Sequence, residues 1–286
     1  MNDDYPLLRG KDYRAPSLFQ PENLLREARR QKHLPDVGVP AVALLDPDGD
    51  IVSHLARTGR GRRHPGWACY HTEMWTTDLD GVEVGVVGRA VGAPFAVLVA
   101  EQLAASGCKL LISVTSAGQI SASGRPPYFV LIDRALRDEG TSVHYVAAAR
   151  WSHLDATMLT RLDGAFDHLA ERVLTGASWT TDAPYRETTA AIAAAEAEQI
   201  TCVEMEAAAL YAYAQASGAS VVCVAHITNT MAVSGSDFEK GVDNGVHEAM
   251  ALARAVAVRN GHGAQAPAPR PVEAADAIDA AKAVQQ

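Results

Sequence analysis

Short apolar runs rich in β-branched residues recur at 39–45, 82–88, 109–114 and 220–227, each too brief for a buried helix and each bounded by glycine, proline or acidic turn residues. Between them lie stretches with helix signals. Gly92-Ala-Pro94 opens one, with proline at the tolerated first turn and Gly107 as the stop; others are expected near 158–174, 186–197, 204–217 and 244–259. Segments 128–132 and 142–147 add further strand candidates. Strands alternating with helices imply an α/β fold around a mostly parallel or mixed central sheet, with ligands at the carboxyl ends of its strands.

The chain has 286 residues, 48% of them hydrophobic, enough for one large core. One domain is expected over 37–260. Before it, residues 1–36 form a polar, proline-punctuated extension or oligomer arm with a short helix near 21–31 begun by Pro21. After it, 261–286 is rich in Ala, Pro and Gln and is expected to be a disordered tail. A net charge of −9 argues against a dedicated nucleic-acid partner, although Arg57, Arg60, Arg62 and Arg63 form a local basic cluster. Cys69, Cys108, Cys202 and Cys223 stand far apart with no Cys-x-x-Cys pair, so reduced thiols are expected, with no metal and no cofactor. The start lacks a basic region followed by an apolar stretch, and no run of about 18 apolar residues occurs. A cytoplasmic protein with no membrane partner follows.

The strongest chemical signal is Glu204-Met205-Glu206, two carboxylates flanking a methionine at the head of an apolar, alanine-rich segment running to Ala214. Buried ionised groups are costly without partners, so the pair suggests a ligand with hydroxyls to grip, such as a sugar. A helix start favoured by the macrodipole would also place acids there. Thr115-Ser116-Ala117-Gly118, ending a strand, supplies small residues that let a ligand approach the backbone.

Taken in order, Gly92-Ala-Pro94, Ser116-Ala-Gly118, Thr181-Asp182-Ala-Pro-Tyr185 and Val203-Glu-Met-Glu206 resemble the nucleoside phosphorylase and nucleosidase superfamily. The stretch Arg137-Asp-Glu-Gly-Thr-Ser-Val-His-Tyr145 is similar to its uridine phosphorylase branch, and the similarity spans about 39–260. The resemblance implies a three-layer α/β/α fold with a mixed central sheet flanked by helices, and a homo-oligomer with sites near subunit interfaces. It also implies cleavage of a nucleoside's N-glycosidic bond by phosphate or water. Carried over, Met205 would lie against the ribose and Glu206 would accept hydrogen bonds from its 2′ and 3′ hydroxyls, with Glu204 in support. A carboxylate there would stabilise the oxocarbenium-like transition state more than the ground state.

Positions where the resemblance implies phosphate-binding arginines carry Asp50, Ser113 and Tyr70 instead, Tyr70 being where a neighbouring subunit would lend its arginine. Inorganic phosphate favours charge-assisted arginine contacts. Hydrolysis is therefore the leading expectation, with Asp50 as general base for water. Asp46-Pro-Asp-Gly-Asp50 is equally good turn chemistry. Asn229 stands where purine-cleaving members often carry Asp. It can hydrogen-bond but not protonate a base, which weakens an adenine-type reading and allows a 6-oxopurine or pyrimidine, with the identity of the base left open. Arg186 is a candidate reader of a base carbonyl, while Asp182 is expected to fix its own turn, and His71, His144 and His226 are given structural roles. Two alternatives stay open: a phosphorylase whose anion site is rebuilt from the Arg57 to Arg63 segment, and a nucleoside-binding or storage protein without turnover.

Overall fold

The computed structural model describes residues 6–231 and 237–262. Strand β1, Val42–Asp46, is buried along its whole length because it has parallel neighbours on both sides, β4 (Glu83–Gly88) and β5 (Leu110–Gln119). It ends at Asp46, whose carboxylate accepts the Gly49 and Val52 amides and so launches α2, Asp50–Thr58. That helix begins inside the acidic turn, with Gly49 at φ 82° as its cap.

Beyond β4 the sheet continues antiparallel through β3 (Met74–Asp78) to the two-residue β2 (Arg62–Arg63). On the other side, β5 pairs with β10 (Ser220–Asn229) in parallel and with β9 (Ile200–Glu204) at its end. β10 continues to β6 (Tyr128–Asp138), then β8 (Val173–Thr181), which returns to β9. Five strands thus close on themselves, and β1 to β4 extend from them as an open wing. A short β7, Trp151–His153, lies on β6.

Helices flank this mixed sheet. The group α1 (Pro21–Lys32), α3 (Ala93–Ala105) and α6 (Ala207–Ser217) packs together, while α2 packs with α7 (Val246–Arg259). The α6 face is tied down by Tyr211, fully buried, whose hydroxyl donates to the Ile132 carbonyl (2.6 Å) and accepts the Cys223 amide (3.0 Å). In the 1–36 segment, Leu25 and Ala28 of α1 are buried with Ala68, so this part packs onto the sheet-bearing body.

Three expected elements differ. Segment 142–147 is not a strand: Ser142–His144 is a 3-10 turn, because the Glu139 carboxylate accepts the Thr141 and Ser142 amides and Arg137 clasps Ser142 Oγ and the Val146 and Ala147 carbonyls. The helix expected over 158–174 shrinks to α4, Ala156–Arg161, capped by Asp155; Gly164 then turns at φ 65° and β8 takes residues from Val173. Glu204 closes strand β9 instead of opening a helix, and α6 starts at Ala207. Helix α5, Thr189–Ala197, is capped by Thr188 and follows a 3-10 turn at Pro184–Arg186. Of the expected tail, 263–286 lies outside the described residues.

Candidate active site

Glu204 and Glu206 are both buried, and their surroundings divide their roles. Ser178 and Thr180 alternate along β8 onto one face and donate to Glu204 Oε1, while Oε2 accepts the Glu206 and Ala207 amides at 2.7 Å each. With four donors, Glu204 is the anchor that starts α6. Glu206 is held more loosely: its Oε1 accepts the amide of Gly92, at 2.7 Å, from the head of α3, and the Thr115 hydroxyl also favours its charged form. Its Oε2 is buried without a partner. Burial, and then the Glu204 charge beside it, pushes the Glu206 carboxyl up to about 8. Burial raises the Glu204 carboxyl too, but its four donors favour the charged form, so of the two acids Glu206 is the one biased toward the neutral form. The loose oxygen is where a ligand hydroxyl can bind. Met205 lies between them, half-buried.

A second wall forms where β5 meets the end of β10. The register slips between Ile227 and Asn229, bringing Asn229 opposite Gly118. A Cβ on Gly118 would stand 2.7 Å from Met231 Sδ and 3.3 Å from Asn229 Oδ1, so a side chain there would push Met231 aside and crowd Asn229. The Asn229 side chain accepts the Met231 amide (2.9 Å) and donates to Thr228 Oγ1 (3.2 Å).

The third wall is the acidic turn. Ser116 Oγ donates to Asp48, and Lys240 reaches in from before α7 to Asp48 Oδ2 (3.0 Å) and Asp50 Oδ2 (2.6 Å). Asn244 donates to the other oxygen of Asp50 at 2.9 Å. Burial opposes the Lys240 charge, but the two carboxylates outweigh it and hold the ammonium above its ordinary value. His226, next to Ser116 across the strands and stacked on Phe129 at 4.6 Å, is pushed down to about 4 by burial and by Lys240, so it is neutral near pH 7. Asp48 also repels the Glu206 carboxylate, which links this wall to the first.

Asp50, Ser116, Gly118, Glu204, Met205, Glu206 and Asn229 therefore come from strand ends that share one end of the sheet. The other expected positions do not join them. Ser113 is buried within β5 between β1 and β10, its Oγ without a partner. Tyr70 packs by α1, bonding Gln31 and lying under Lys32. The basic cluster is largely tied elsewhere: Arg57 to Asp243, Arg62 to Glu83, and Arg63 to Glu73 over the Trp75 ring. Arg186 lies exposed in the turn after β8, and among the described residues no hydrogen bond or ion pair joins it to Glu206 or Asn229. Asp182 fixes a neighbouring loop rather than its own turn, accepting the Gly140 amide at 2.8 Å. His144 bonds Lys11, and His71 stands edge-on to Phe95.

Sequence reasoning missed Asp48, Lys240, Asn244 and Arg89. Arg89 follows β4 with φ 65°, donates to Ser53 Oγ at 3.2 Å and folds over Gly49, whose added Cβ would lie 2.9 Å from Arg89 Cγ. It is an exposed guanidinium beside the α2 N-terminus, where anions are favoured. Its position just before Gly92 was the available signal. Lys240 offered none, being 190 residues from Asp50.

A model of the phosphorylase superfamily matches residues 42–258, which include every site residue above. The chain belongs to that superfamily. Among curated relatives of this superfamily member, a guanosine phosphorylase of Halorubrum lacusprofundi is 26% identical over 165 residues, covering 58% of this chain and 67% of that one. A uridine phosphorylase of Thermococcus kodakarensis is 28% identical over 200 residues, 62% of this chain and 72% of that one. The fold is that of a purine nucleoside phosphorylase from Toxoplasma gondii in complex with immucillin-H, with TM-score 0.65, 16% identity and coverage of 79% of this chain and 92% of that one. A uridine phosphorylase from Vibrio fischeri superposes with TM-score 0.59, 17% identity and coverage of 80% and 89%. The expected three-layer α/β fold and the enzyme class, nucleosidase or nucleoside phosphorylase, agree with these findings. No helix among the described residues is long and apolar enough to cross a membrane.

Proposed function

We propose that the protein cleaves the N-glycosidic bond of a 6-oxopurine or pyrimidine nucleoside with inorganic phosphate as the acceptor. The observation that carries the choice of phosphate is Lys240. Its ammonium lies on both Asp48 and Asp50 and offsets one of their two charges, placing a cation at the acid that would repel phosphate, and both Asp50 oxygens are already engaged rather than free to deprotonate water. Arg89 beside the Gly49 turn supplies a second cation. The guanosine and uridine phosphorylase relatives support the same acceptor.

In this reading Oε2 of Glu206 accepts the ribose 2′ and 3′ hydroxyls, Met205 packs on the sugar, and Glu204 holds the loop that aims both. Arg89, Lys240 and Ser116 Oγ hold phosphate, one of whose oxygens attacks C1′ as the C1′–N bond breaks. The bonding pair leaves with the base, and Asn229, with Arg186 swung in from its exposed turn, hydrogen-bonds its polar edge. As C1′ gains oxocarbenium character, an ionised Glu206 stabilises the transition state preferentially.

Water as acceptor is the second reading, supported by Ser113 at a matched arginine position and by the acidic Asp46 to Asp50 turn. The three buried and one half-buried free thiols fit a cytoplasmic protein, and a homo-oligomer completes the proposal. The test incubates guanosine, inosine, uridine, thymidine and adenosine with the protein, with and without phosphate, and measures free base. Release from a 6-oxopurine or pyrimidine nucleoside only with phosphate is expected. Equal release without it supports hydrolysis, and no release from any of them, with nucleosides still raising the melting temperature, supports the binding protein.

A further inference from the structure

Away from the carboxylate pair, three metal-binding side chains from two helices and a turn converge. His54 projects from α2, and its Nδ1 contacts Asp243 Oδ2. His247, in the first turn of α7, places Nε2 at 4.0 Å from the same oxygen, and the two imidazoles stand edge to face with centroids 5.1 Å apart. One donor atom from each residue falls within 4.8 Å of the others. Two imidazoles with one carboxylate are a donor set for zinc and related divalent transition metals, and too poor in oxygen for calcium or magnesium.

We propose that His54, Asp243 and His247 bind a zinc-class divalent cation that clamps the segment carrying Lys240 and Asn244 onto Asp50. Ligand atoms around zinc lie about 2.0–2.2 Å from the metal, hence roughly 3.3 Å apart in a tetrahedron. From the 4.8 Å within which the three donors lie, the His247 ring needs to close by up to about 1.5 Å on that measure while the His54–Asp243 contact opens, and at 52% side-chain exposure it has room. Arg57 already holds the other oxygen of Asp243 at 2.7 Å, the kind of outer contact that orients a metal carboxylate. The buried His54 ring keeps Nε2 without a partner, so no neighbour at that nitrogen fixes its tautomer.

The turn itself shows what the ion would hold. Asp243 and Asn244 are consecutive non-glycine residues at φ 49° and 59°, left-handed backbone that only specific contacts keep in place. Asp243 is held by His54 and Arg57, and Asn244 by Asp50. A cation bridging α2 and α7 through Asp243 would add a third restraint to the same turn. Three protein ligands leave a fourth position for water.

The test uses the full chain without an affinity tag, stripped with a chelator and titrated with zinc against a chromophoric competitor, with magnesium as the hard-cation control. One zinc per chain at micromolar affinity or tighter is expected, weakened at least 10-fold in His247→Ala and in Asp243→Asn. Zinc should raise the melting temperature of the parent and not of those variants. Because His247 is half exposed, its replacement removes the edge-to-face contact with His54 and leaves the buried core intact. Absence of zinc binding, or binding and thermal shift unchanged in both variants, overturns the proposal. Neither readout depends on catalysis, so its failure is separable from failure of the phosphorylase reading.

Discussion

Lys240 Nζ lies 2.6 Å from Asp50 Oδ2, a contact between residues 190 positions apart that decides the character of the acidic turn. Half-buried and shared with Asp48, the ammonium offsets one of the two carboxylate charges that would otherwise face an incoming anion. Lys240→Gln should therefore raise the KM for phosphate by 10-fold or more, while the KM for nucleoside changes little. Initial rates at fixed nucleoside across a phosphate series check this.

Arg89 is exposed, bonding Ser53 and lying over the Gly49 turn, so its removal should leave folding alone. Arg89→Ala should shift the melting temperature by less than about 2 °C, since surface substitutions fall within about 0.5 kcal/mol. Phosphate KM should rise at least 10-fold, consistent with loss of a charge-assisted contact worth about 1.5–3 kcal/mol. A normal phosphate KM in this variant would remove Arg89 from the anion site.

Glu206 makes a prediction about pH. Its folded-state value of about 8 stands above the usual carboxylate range, because burial and then the Glu204 charge disfavour ionisation. The folded chain thus holds a proton that the unfolded chain has released, and stability falls as pH rises from about 4.5 through 8. Each unit of such a shift corresponds to about 1.4 kcal/mol. Glu206→Gln keeps an acceptor for the Gly92 amide but cannot ionise. It should match the parent's melting temperature at pH 5 and exceed it by several degrees at pH 8.5. The same ionisation should give kcat/KM a rising limb near pH 8 in the parent, and turnover in the variant should drop at least 100-fold.

Glu204 behaves oppositely. Four donors converge on it, so Glu204→Ala strands two hydroxyls and two amides in the core. A loss of about 3–5 kcal/mol is expected, read from denaturant melts, because removing one side of a buried, fully bonded charge leaves the partners unsatisfied. If stability is unchanged, Glu204 is not the anchor of α6.

Strands β1, β4, β5 and β10 were legible because each is a short apolar run ended by turn chemistry. β8 was not: its outer half, Val173 to Gly176, is only partly buried and mixed in polarity, and only register with β6 and β9 makes it a strand. Glu206 stood out because an acid at the head of an apolar segment needs an explanation. Its division of labour with Glu204 depends on Ser178, Thr180 and Gly92, brought from other parts of the chain. Likewise, Asp50 could be seen as an acid in a turn, but its state is set by Lys240 and Asn244, whose approach depends on the packing of α7 against α2.

The most direct test follows the sugar product. With a nucleoside that the protein cleaves, phosphorus NMR in phosphate buffer should show one ribose 1-phosphate formed for each base released, and base release should stop when phosphate is removed. Free ribose appearing at an undiminished rate without phosphate would contradict the account, and would make water the acceptor at this site.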